Sequence, residues 1–262
     1  MTEPARAALP ALFISHGSPM LALQRSAVHE AFHRLQLNLP EPQAIVVMSA
    51  HWESAALEVS VASQPETWHD FRGFPEALYR LRYPARGDVG LAQRLIGLLR
   101  GAGFDPHENR LRPRDHGAWM PLLLMYPQAD IPVVQVSLPR SATPAQLMAM
   151  GAALALLREE RILLIGSGSI THNLAELDWR GDGAATPDWA LAFRQWMVHH
   201  LNLHDLNALQ QWQTLAPHAQ RNHPTDEHLR PLFFACGAGR RFSLVHSSFE
   251  MGALGMDLYR FD

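Results

Sequence analysis

Histidines stand where strand-like segments of the sequence end. His16 and His51 each follow a short run of Val, Ile, Leu or Phe closely, and His172 follows a third run after the glycine-rich stretch Gly166–Ser169. Imidazole binds metals and exchanges protons near neutral pH, and the 262-residue chain holds 15 histidines. Because the carboxyl ends of strands line the ligand crevice of open α/β sheets, these three histidines can converge. Each alone could cap a helix or satisfy a backbone group, but the repetition favours one functional site.

Other histidines are less firmly placed by the sequence. His228 follows Thr225, a possible helix cap that would place His228 in a first helical turn, but Pro231 either kinks this helix or marks its true start. His69 and His116 lie in turn-rich segments beside Asp and Trp, where a site role and plain surface hydrogen bonding are both open. Five further histidines on helical patterns are predicted to be surface residues: His29, His33, His199, His200 and His204.

Apolar runs alternate with helical patterns along the chain, and this alternation predicts a sheet covered on both faces. The predicted strands are Ala11–Ser15, Ile45–Ser49, Leu57–Ala62, Val133–Leu138, Ile162–Ile165, Phe242–His246 and Met256–Phe261. The predicted helices are Met20–Leu37, Val89–Gly101, Pro144–Glu159, Pro187–Leu203 and one ending near Gly237, with caps at Thr143 and Thr186. We therefore expect one α/β domain over residues 1–262, a three-layer α/β/α sandwich around a mostly parallel or mixed sheet.

Composition excludes several classes of function. With 47% hydrophobic residues the chain can bury a large core, yet no stretch approaches the roughly 20 uncharged apolar residues of a membrane helix. A net charge of −3 gives no reason to expect nucleic acid as a partner. The single cysteine, Cys236, and the absence of a signal-peptide pattern in the first ten residues favour the cytoplasm. Small molecules are the expected partners, and the oligomeric state is left open.

Nine short strings, in order from about residue 10 to 255, resemble the class III extradiol ring-cleavage dioxygenases. The closest resemblance is to the DOPA 4,5-dioxygenase-like branch of bacteria and plants. The strings are His16-Gly17-Ser18-Pro19-Met20, Ser49-Ala50-His51-Trp52, His69-Asp70-Phe71, Gly73-Phe74-Pro75, Asp115-His116-Gly117, Ser167-Gly168, His172-Asn173-Leu174, Glu227-His228 and Glu250-Met251-Gly252.

The resemblance implies a non-haem Fe(II) enzyme that opens a catechol ring beside its two hydroxyls with O2, although Zn(II) is often assigned to such sites. By position, His16, His51 and His228 match the metal ligands, and about 2.0–2.3 Å is then expected from each ring nitrogen to the metal. His172 matches a histidine that acts as acid/base or as a fourth ligand. The matched substrate-binding residues are His69, His116 and Ser18, and His116 also matches a catalytic residue near the bound oxygen.

Departures from the family pattern keep rival interpretations open. A three-histidine site is less anionic than the two-histidine, one-carboxylate triad usual for Fe(II). Arg72 replaces a common glycine, and Arg112-Pro113-Arg114 precedes the Asp-His-Gly string, which bears on substrate choice. One rival is a zinc hydrolase on the same histidines, and another is a non-catalytic binding protein. The stretch Gly166–Ser169 fits neither a P-loop, nor a dinucleotide fingerprint, nor a serine-nucleophile elbow.

Overall fold

One mixed sheet organises the chain, for which the computed structural model describes residues 8–180 and 183–262. Its strands run in the order β4-β3-β5-β2-β6-β1-β10-β7, and β8 and β9 form a separate ribbon. The strand bounds are β1 Ala11–Ser15, β2 Ala44–Ser54, β3 Glu58–Ser60, β4 His107–Asn109, β5 Val133–Pro139, β6 Ile162–Gly168, β7 Phe242–His246, β8 Phe249–Glu250, β9 Leu254–Gly255 and β10 Leu258–Phe261.

The centre of the sheet is parallel and its flanks are antiparallel. Strands β5, β2, β6 and β1 run parallel, whereas β3 runs antiparallel to β5, and β10 runs antiparallel to both β1 and β7. Ser15 is paired with Gly168, and Ser49 with Ser167. The carboxyl ends of β1, β6 and β2 therefore meet at one edge, which is where the histidine site lies.

Helices cover both faces of this sheet. Their bounds are α1 Ala27–Leu37, α2 Glu76–Arg80, α3 Val89–Gly101, α4 His116–Met125, α5 Pro144–Leu154, α6 Asp188–Asn202, α7 Leu206–Gln210, α8 Trp212–Leu215, α9 Ala219–Asn222 and α10 Pro231–Ala238. On β2, Ile45 and Val47 join the apolar cluster of α1 and α4, while Val46 and Met48 join that of α3, α5 and α10. This alternation confirms the predicted single-domain α/β/α fold with a mixed sheet.

Several element bounds agree with prediction and several do not. The bounds of β1, β7 and α3 are as predicted, and Thr143 forms the expected capping box with Gln146. The predicted helix Met20–Leu37 is wrong, because it is divided into a 3-10 turn at Pro19–Ala22 and α1, which Ser26 caps. The predicted cap Thr186 is also wrong: α6 begins after Pro187, without a side-chain cap.

Other predicted elements differ from the observed ones in length. Helix Pro144–Glu159 becomes α5 followed by a 3-10 turn at Ala155–Glu160, and β3 and β10 are shorter than predicted. No sequence pattern predicted β4, α2, α4, α7, α8 or α9. In particular, α4 contains Gly117 and Pro121, which disfavour helix interiors. Nearly all of its side chains are buried, so packing rather than propensity stabilises this helix.

The glycines at 166 and 168 lie within strand β6, so the predicted glycine-rich turn is wrong there. A side chain on Gly168 would overlap the carbonyl oxygen of His228. The backbone NH of Ser169 donates to that same carbonyl oxygen at 2.8 Å. Glycine is therefore needed because the segment before α10 crosses β6 at backbone contact distance.

The structure bears on two further expectations, the absence of a membrane helix and the role of Cys236. Among the described residues, no helix is long and apolar enough to cross a membrane. Cys236 is buried in α10, and burial raises the pKa of its thiol to about 12, as expected of a small apolar residue. Most of the N-terminal segment in which no signal peptide was found lies outside the described residues.

Candidate metal centre and active site

Three histidines from distant parts of the chain converge at the carboxyl edge of the sheet. His16 follows β1, His51 lies in β2, and His228 lies in the turn before α10. The Nε2 atom of His51 is 3.1 Å from that of His16 and 3.3 Å from that of His228. Two imidazole nitrogens bound to one ion at usual distances and angles stand about 3.0–3.4 Å apart. The three side chains have the spacing of a metal-binding triad.

The predicted strand ended at Ser49, before His51. The observed strand β2 continues to Ser54, so His51 lies inside it. The pairing of β2 with β5 shifts register between Met48 and Glu53, so the strand bulges at this histidine. The guanidinium of Arg112 donates to the carbonyl oxygen of His51 at 2.7 Å and lies over the ring of Trp68. Arg112 thus supports the backbone at a histidine of the triad.

Hydrogen bonds fix the tautomers of His16 and His228. The Ser167 hydroxyl donates to the carbonyl oxygen of Gly117, so it can only accept from His16 Nδ1, 3.0 Å away. The Nδ1–H of His228 donates to the Glu227 carboxylate at 2.7 Å. In both rings the proton is on Nδ1, so Nε2 presents a lone pair to the centre of the triad.

His51 has a comparable arrangement, because its Nδ1 faces the carboxylate of Asp70 at 3.6 Å. Burial, reinforced by His116, lowers the pKa of His51 to about 3. Burial also holds the pKa of His16 and of His228 well below the usual range, and the neighbouring histidines act in the same direction. Three neutral imidazoles thus direct Nε2 lone pairs at one point, an arrangement that a bound cation would stabilise.

His116 begins α4 and does not lie in an irregular segment. Asp115 is the N-cap of this helix and accepts from Ser49 Oγ at 2.6 Å and from the amide of Gln135. Both the backbone NH and the Nδ1 of His116 lie 2.9 Å from Asp70 Oδ1. Burial alone would raise the pKa of Asp70, but these hydrogen bonds lower it. Asp70 is therefore an ionised carboxylate that orients the His116 ring.

His172 lies beside the triad with its ring parallel to that of His228. The ring centroids are 3.5 Å apart and the planes differ by 7°. If His16, His51 and His228 held a metal, the His172 ring would stand beside the ring of one of these ligands. Burial lowers the pKa of His172, which is neutral near pH 7. Within the described residues, no side chain hydrogen-bonds to its ring nitrogens, which leaves them open to a ligand.

An apolar cavity of about 300 Å³ opens above these histidines. Its lining consists of His16, Gly17, Ser18, Pro19, His51, Phe71, Phe74, His116, Ser169, His172, Leu174, Leu177, Trp179, His228, Met251 and Leu254. The volume is at the small end of the range for small-molecule sites. A larger surface depression around Trp212 and Gln220 is more polar and lacks the triad. The histidine cavity is the candidate active site.

One family of known proteins matches nearly the whole chain. Residues 10–261 match the family described as the catalytic LigB subunit of aromatic ring-opening dioxygenase. The chain belongs to the LigB family. It is therefore an extradiol ring-cleavage dioxygenase, an oxidoreductase, as the sequence strings predicted.

Individual relatives of this LigB-family chain agree with that assignment. It is 40% identical over 256 residues to 4,5-DOPA dioxygenase extradiol of Beta vulgaris, which covers 95% of each chain. It is also 40% identical over 262 residues to the protein of the same name from Escherichia coli strain K12, covering 95% of this chain and 93% of that one. The crystal structure of an uncharacterized protein from Escherichia coli K12 matches with a TM-score of 0.81 and 34% identity, covering 97% of this chain and 100% of that one.

Some predicted site residues of the LigB-family enzyme line the cavity and others do not. Ser18 lines it, and its hydroxyl accepts from the backbone NH of Met20 at 3.3 Å. His69 lies outside the lining, where its Nε2 is 3.1 Å from the carbonyl oxygen of Leu81 and its ring packs edge-on against Trp119. Of the helical histidines, His33, His199 and His204 are exposed, whereas His29 and His200 are half-buried.

The residues that orient the histidine rings were missed as functional by sequence reasoning. They are Asp70 and Ser167, which lie 46 and 151 positions from His116 and His16, the histidines that they contact. The only signal was their adjacency to histidines in the family-like strings, because a contact across such separations has no local pattern.

Gly117 packs against two histidines of the triad, so adding a methyl group there tests how tightly the triad is packed. An added Cβ would stand 2.5 Å from Ser49 Oγ, 3.0 Å from His51 Cδ2 and 3.2 Å from His16 Cε1. We expect Gly117→Ala to displace the rings and to lower kcat/KM by roughly 10–100-fold, measured as oxygen uptake together with metal content. Gly97→Ala is the matched control, because Gly97 is helical with open space around it. Wild-type metal content and rate in Gly117→Ala would contradict the packing argument.

Proposed function

We propose that the chain uses O2 to cleave a catechol ring beside its hydroxyls at a metal held by His16, His51 and His228. The observation that carries the proposal is the convergence of three neutral Nε2 atoms beneath an apolar cavity. Family membership supports ring cleavage rather than hydrolysis or non-catalytic binding. The relatives named 4,5-DOPA dioxygenase extradiol support a vicinal diol as the substrate.

Fe(II) is proposed as the metal for turnover and Zn(II) as the alternative occupant. Zn(II) has no redox chemistry, whereas reaction with O2 requires a metal that can exchange electrons. The three ligands carry no charge, but the carboxylates of Asp70 and Glu227 face Nδ1 of His51 and His228. Such outer carboxylates increase the basicity of imidazole ligands and help to offset the missing carboxylate ligand.

When bound, the metal supplies open coordination positions at which both diol oxygens and O2 can meet. The protein's own residues orient the substrate: Phe71 and Phe74 form part of the apolar wall, which excludes water from the aromatic ring. His172 is proposed as the base that takes the proton of the second hydroxyl. Its ring is neutral, and it lies 3.5 Å, centroid to centroid, from the ring of His228, a proposed ligand.

His116 is proposed to contact the bound oxygen and the substrate. Since its Nδ1 proton is directed at Asp70, its Nε2 can donate a hydrogen bond only when the ring carries both protons. The Asp70 carboxylate, which lies 2.9 Å from both the backbone NH and the Nδ1 of His116, holds the ring in this orientation. Ser18 and His69 are retained as proposed substrate-binding residues. His69, which lies outside the lining, would have to act through Phe71, against whose ring it packs.

Oxygen uptake by metal-loaded protein tests this proposal. Protein purified without air is loaded with Fe(II) or Zn(II) and supplied with catechol, 4-methylcatechol or L-DOPA. We expect one O2 consumed per diol with Fe(II) and a background rate with Zn(II). Resorcinol is the matched control, because its hydroxyls are not adjacent and cannot chelate one ion. Absence of uptake with every vicinal diol, or equal rates with both metals, would contradict the proposal.

The predicted cytoplasmic location and the single catalytic domain over 1–262 stay predictions.

A further inference from the structure

The walls of the cavity differ sharply from its floor. The floor consists of the histidines, whereas the walls are mostly aromatic and aliphatic. The apolar wall residues are Pro19, Phe71, Phe74, Leu174, Leu177, Trp179, Met251 and Leu254. Within the described residues, no Arg, Asp or Glu lines the cavity, and the chain contains no lysine. The other polar wall groups are hydroxyls with protein partners: Ser18 caps the turn at Met20, and Ser169 donates to backbone carbonyl oxygens.

Charged groups near the cavity are already engaged or point elsewhere. Asp70 and Glu227 accept hydrogen bonds from Nδ1 of His116 and of His228, and neither carboxylate lines the cavity. Arg180, which follows Trp179, is paired with Asp178. None of these groups is placed to meet the carboxylate or the ammonium group of an amino acid.

Given the function proposed above, we propose that this site prefers catechols with a neutral, apolar substituent to catechols that carry an amino-acid side chain. The two hydroxyls would bind at the histidine floor, and the substituent would then lie against the apolar wall. A charged substituent in that position would lose water without gaining a partner, whereas an alkyl chain would be favoured by the same contacts. The cavity therefore favours the uncharged substrate.

A series of catechols matched in size tests the preference. We would compare 4-propylcatechol, 3-(3,4-dihydroxyphenyl)propanoate, dopamine and L-DOPA with the Fe(II)-loaded protein. Because the cavity mouth is partly open to solvent, we expect a moderate effect, with kcat/KM at least about tenfold higher for 4-propylcatechol than for any charged member. Equal or higher kcat/KM for L-DOPA would overturn the preference.

Binding measured without oxygen separates this inference from the proposed reaction. Anaerobic calorimetry gives the affinity order of the same four compounds, independently of turnover. The expected order again has 4-propylcatechol binding at least about tenfold more tightly than the charged members. If that order is found without oxygen uptake, the reaction proposed above fails and the preference stands. If uptake is found with the order reversed, the preference fails and the reaction stands.

Placing a positive charge in the wall tests whether the lining causes the preference. Leu174 lines the cavity but is 53% exposed, so Leu174→Arg is expected to fold. It should raise the affinity ratio of the propanoate to 4-propylcatechol at least about tenfold. Leu37→Arg is the matched control, because Leu37 is 65% exposed at the end of α1 and should leave the ratio unchanged. An unchanged ratio in Leu174→Arg would overturn the role of the wall.

Removing a positive charge near the cavity, at Arg72, complements the Leu174→Arg test. Arg72 is exposed, it follows Phe71, and it does not line the cavity. If it nevertheless reached the carboxylate of a bound catechol, Arg72→Gln would weaken binding of the two members that carry a carboxylate, L-DOPA and the propanoate. We expect Arg72→Gln to bind all four catechols with the wild-type order, and a selective loss of binding of the carboxylate-bearing members would overturn the inference.

Discussion

His51→Ala is expected to lose the metal and, with it, all oxygen uptake. The Nε2 atom of His51 lies within hydrogen-bond distance of the Nε2 atoms of both His16 and His228, so no other ring replaces it at the centre of the triad. Loss of a partner outside the ligand set typically lowers metal affinity about 10–100-fold. Loss of a direct ligand should raise the dissociation constant of Fe(II) by more than about 100-fold. Anaerobic metal titration with elemental analysis measures this.

The matched control for this prediction is His33→Ala. His33 is exposed on α1, and its removal should leave metal content and rate unchanged. Thermal unfolding of both variants without metal distinguishes a lost ligand from a lost fold. Full metal occupancy in a folded His51→Ala protein would remove His51 from the ligand set and would require a different centre.

His172→Gln is expected to separate binding from chemistry. The metal would be held by His16, His51 and His228, and the His172 ring is stacked on that of His228 with centroids 3.5 Å apart, so glutamine at position 172 should leave metal affinity unchanged. Glutamine can form hydrogen bonds but cannot take a proton near neutral pH. Catechol should therefore bind as in the wild type, while ring cleavage falls by ~10²–10⁴-fold, as is typical when a positioned proton-transfer group is lost.

Metal content and anaerobic catechol affinity of His172→Gln decide between the two roles. If His172 is a fourth ligand, metal content and rate should fall together, and excess Fe(II) should restore much of the rate. His200→Gln is a suitable control, because His200 is half-buried on α6 and outside the cavity lining. Rate loss that added Fe(II) reverses would contradict the assignment of His172 as the base.

The sequence by itself determined the strand order along the chain and the position of the histidines near strand ends. Apolar runs such as Ala11–Ser15 are determined by local composition, so β1 was predicted residue for residue. The parallel direction of neighbouring strands then required His16 and His51 to share an edge of the sheet. The family-like strings indicated ring cleavage, because they preserve the residues of the site in order.

Only the tertiary structure decided how those residues are oriented and what surrounds them. The tautomer of His16 depends on Ser167, 151 positions away, and the position of His116 depends on Asp70. Helix α4 contains glycine and proline and is stabilised by burial, which no local pattern reports. The uncharged cavity wall is likewise assembled from segments far apart in the chain. Contacts between distant residues are determined by packing of the whole chain, so the chemistry of the pocket became visible only when the elements were assembled.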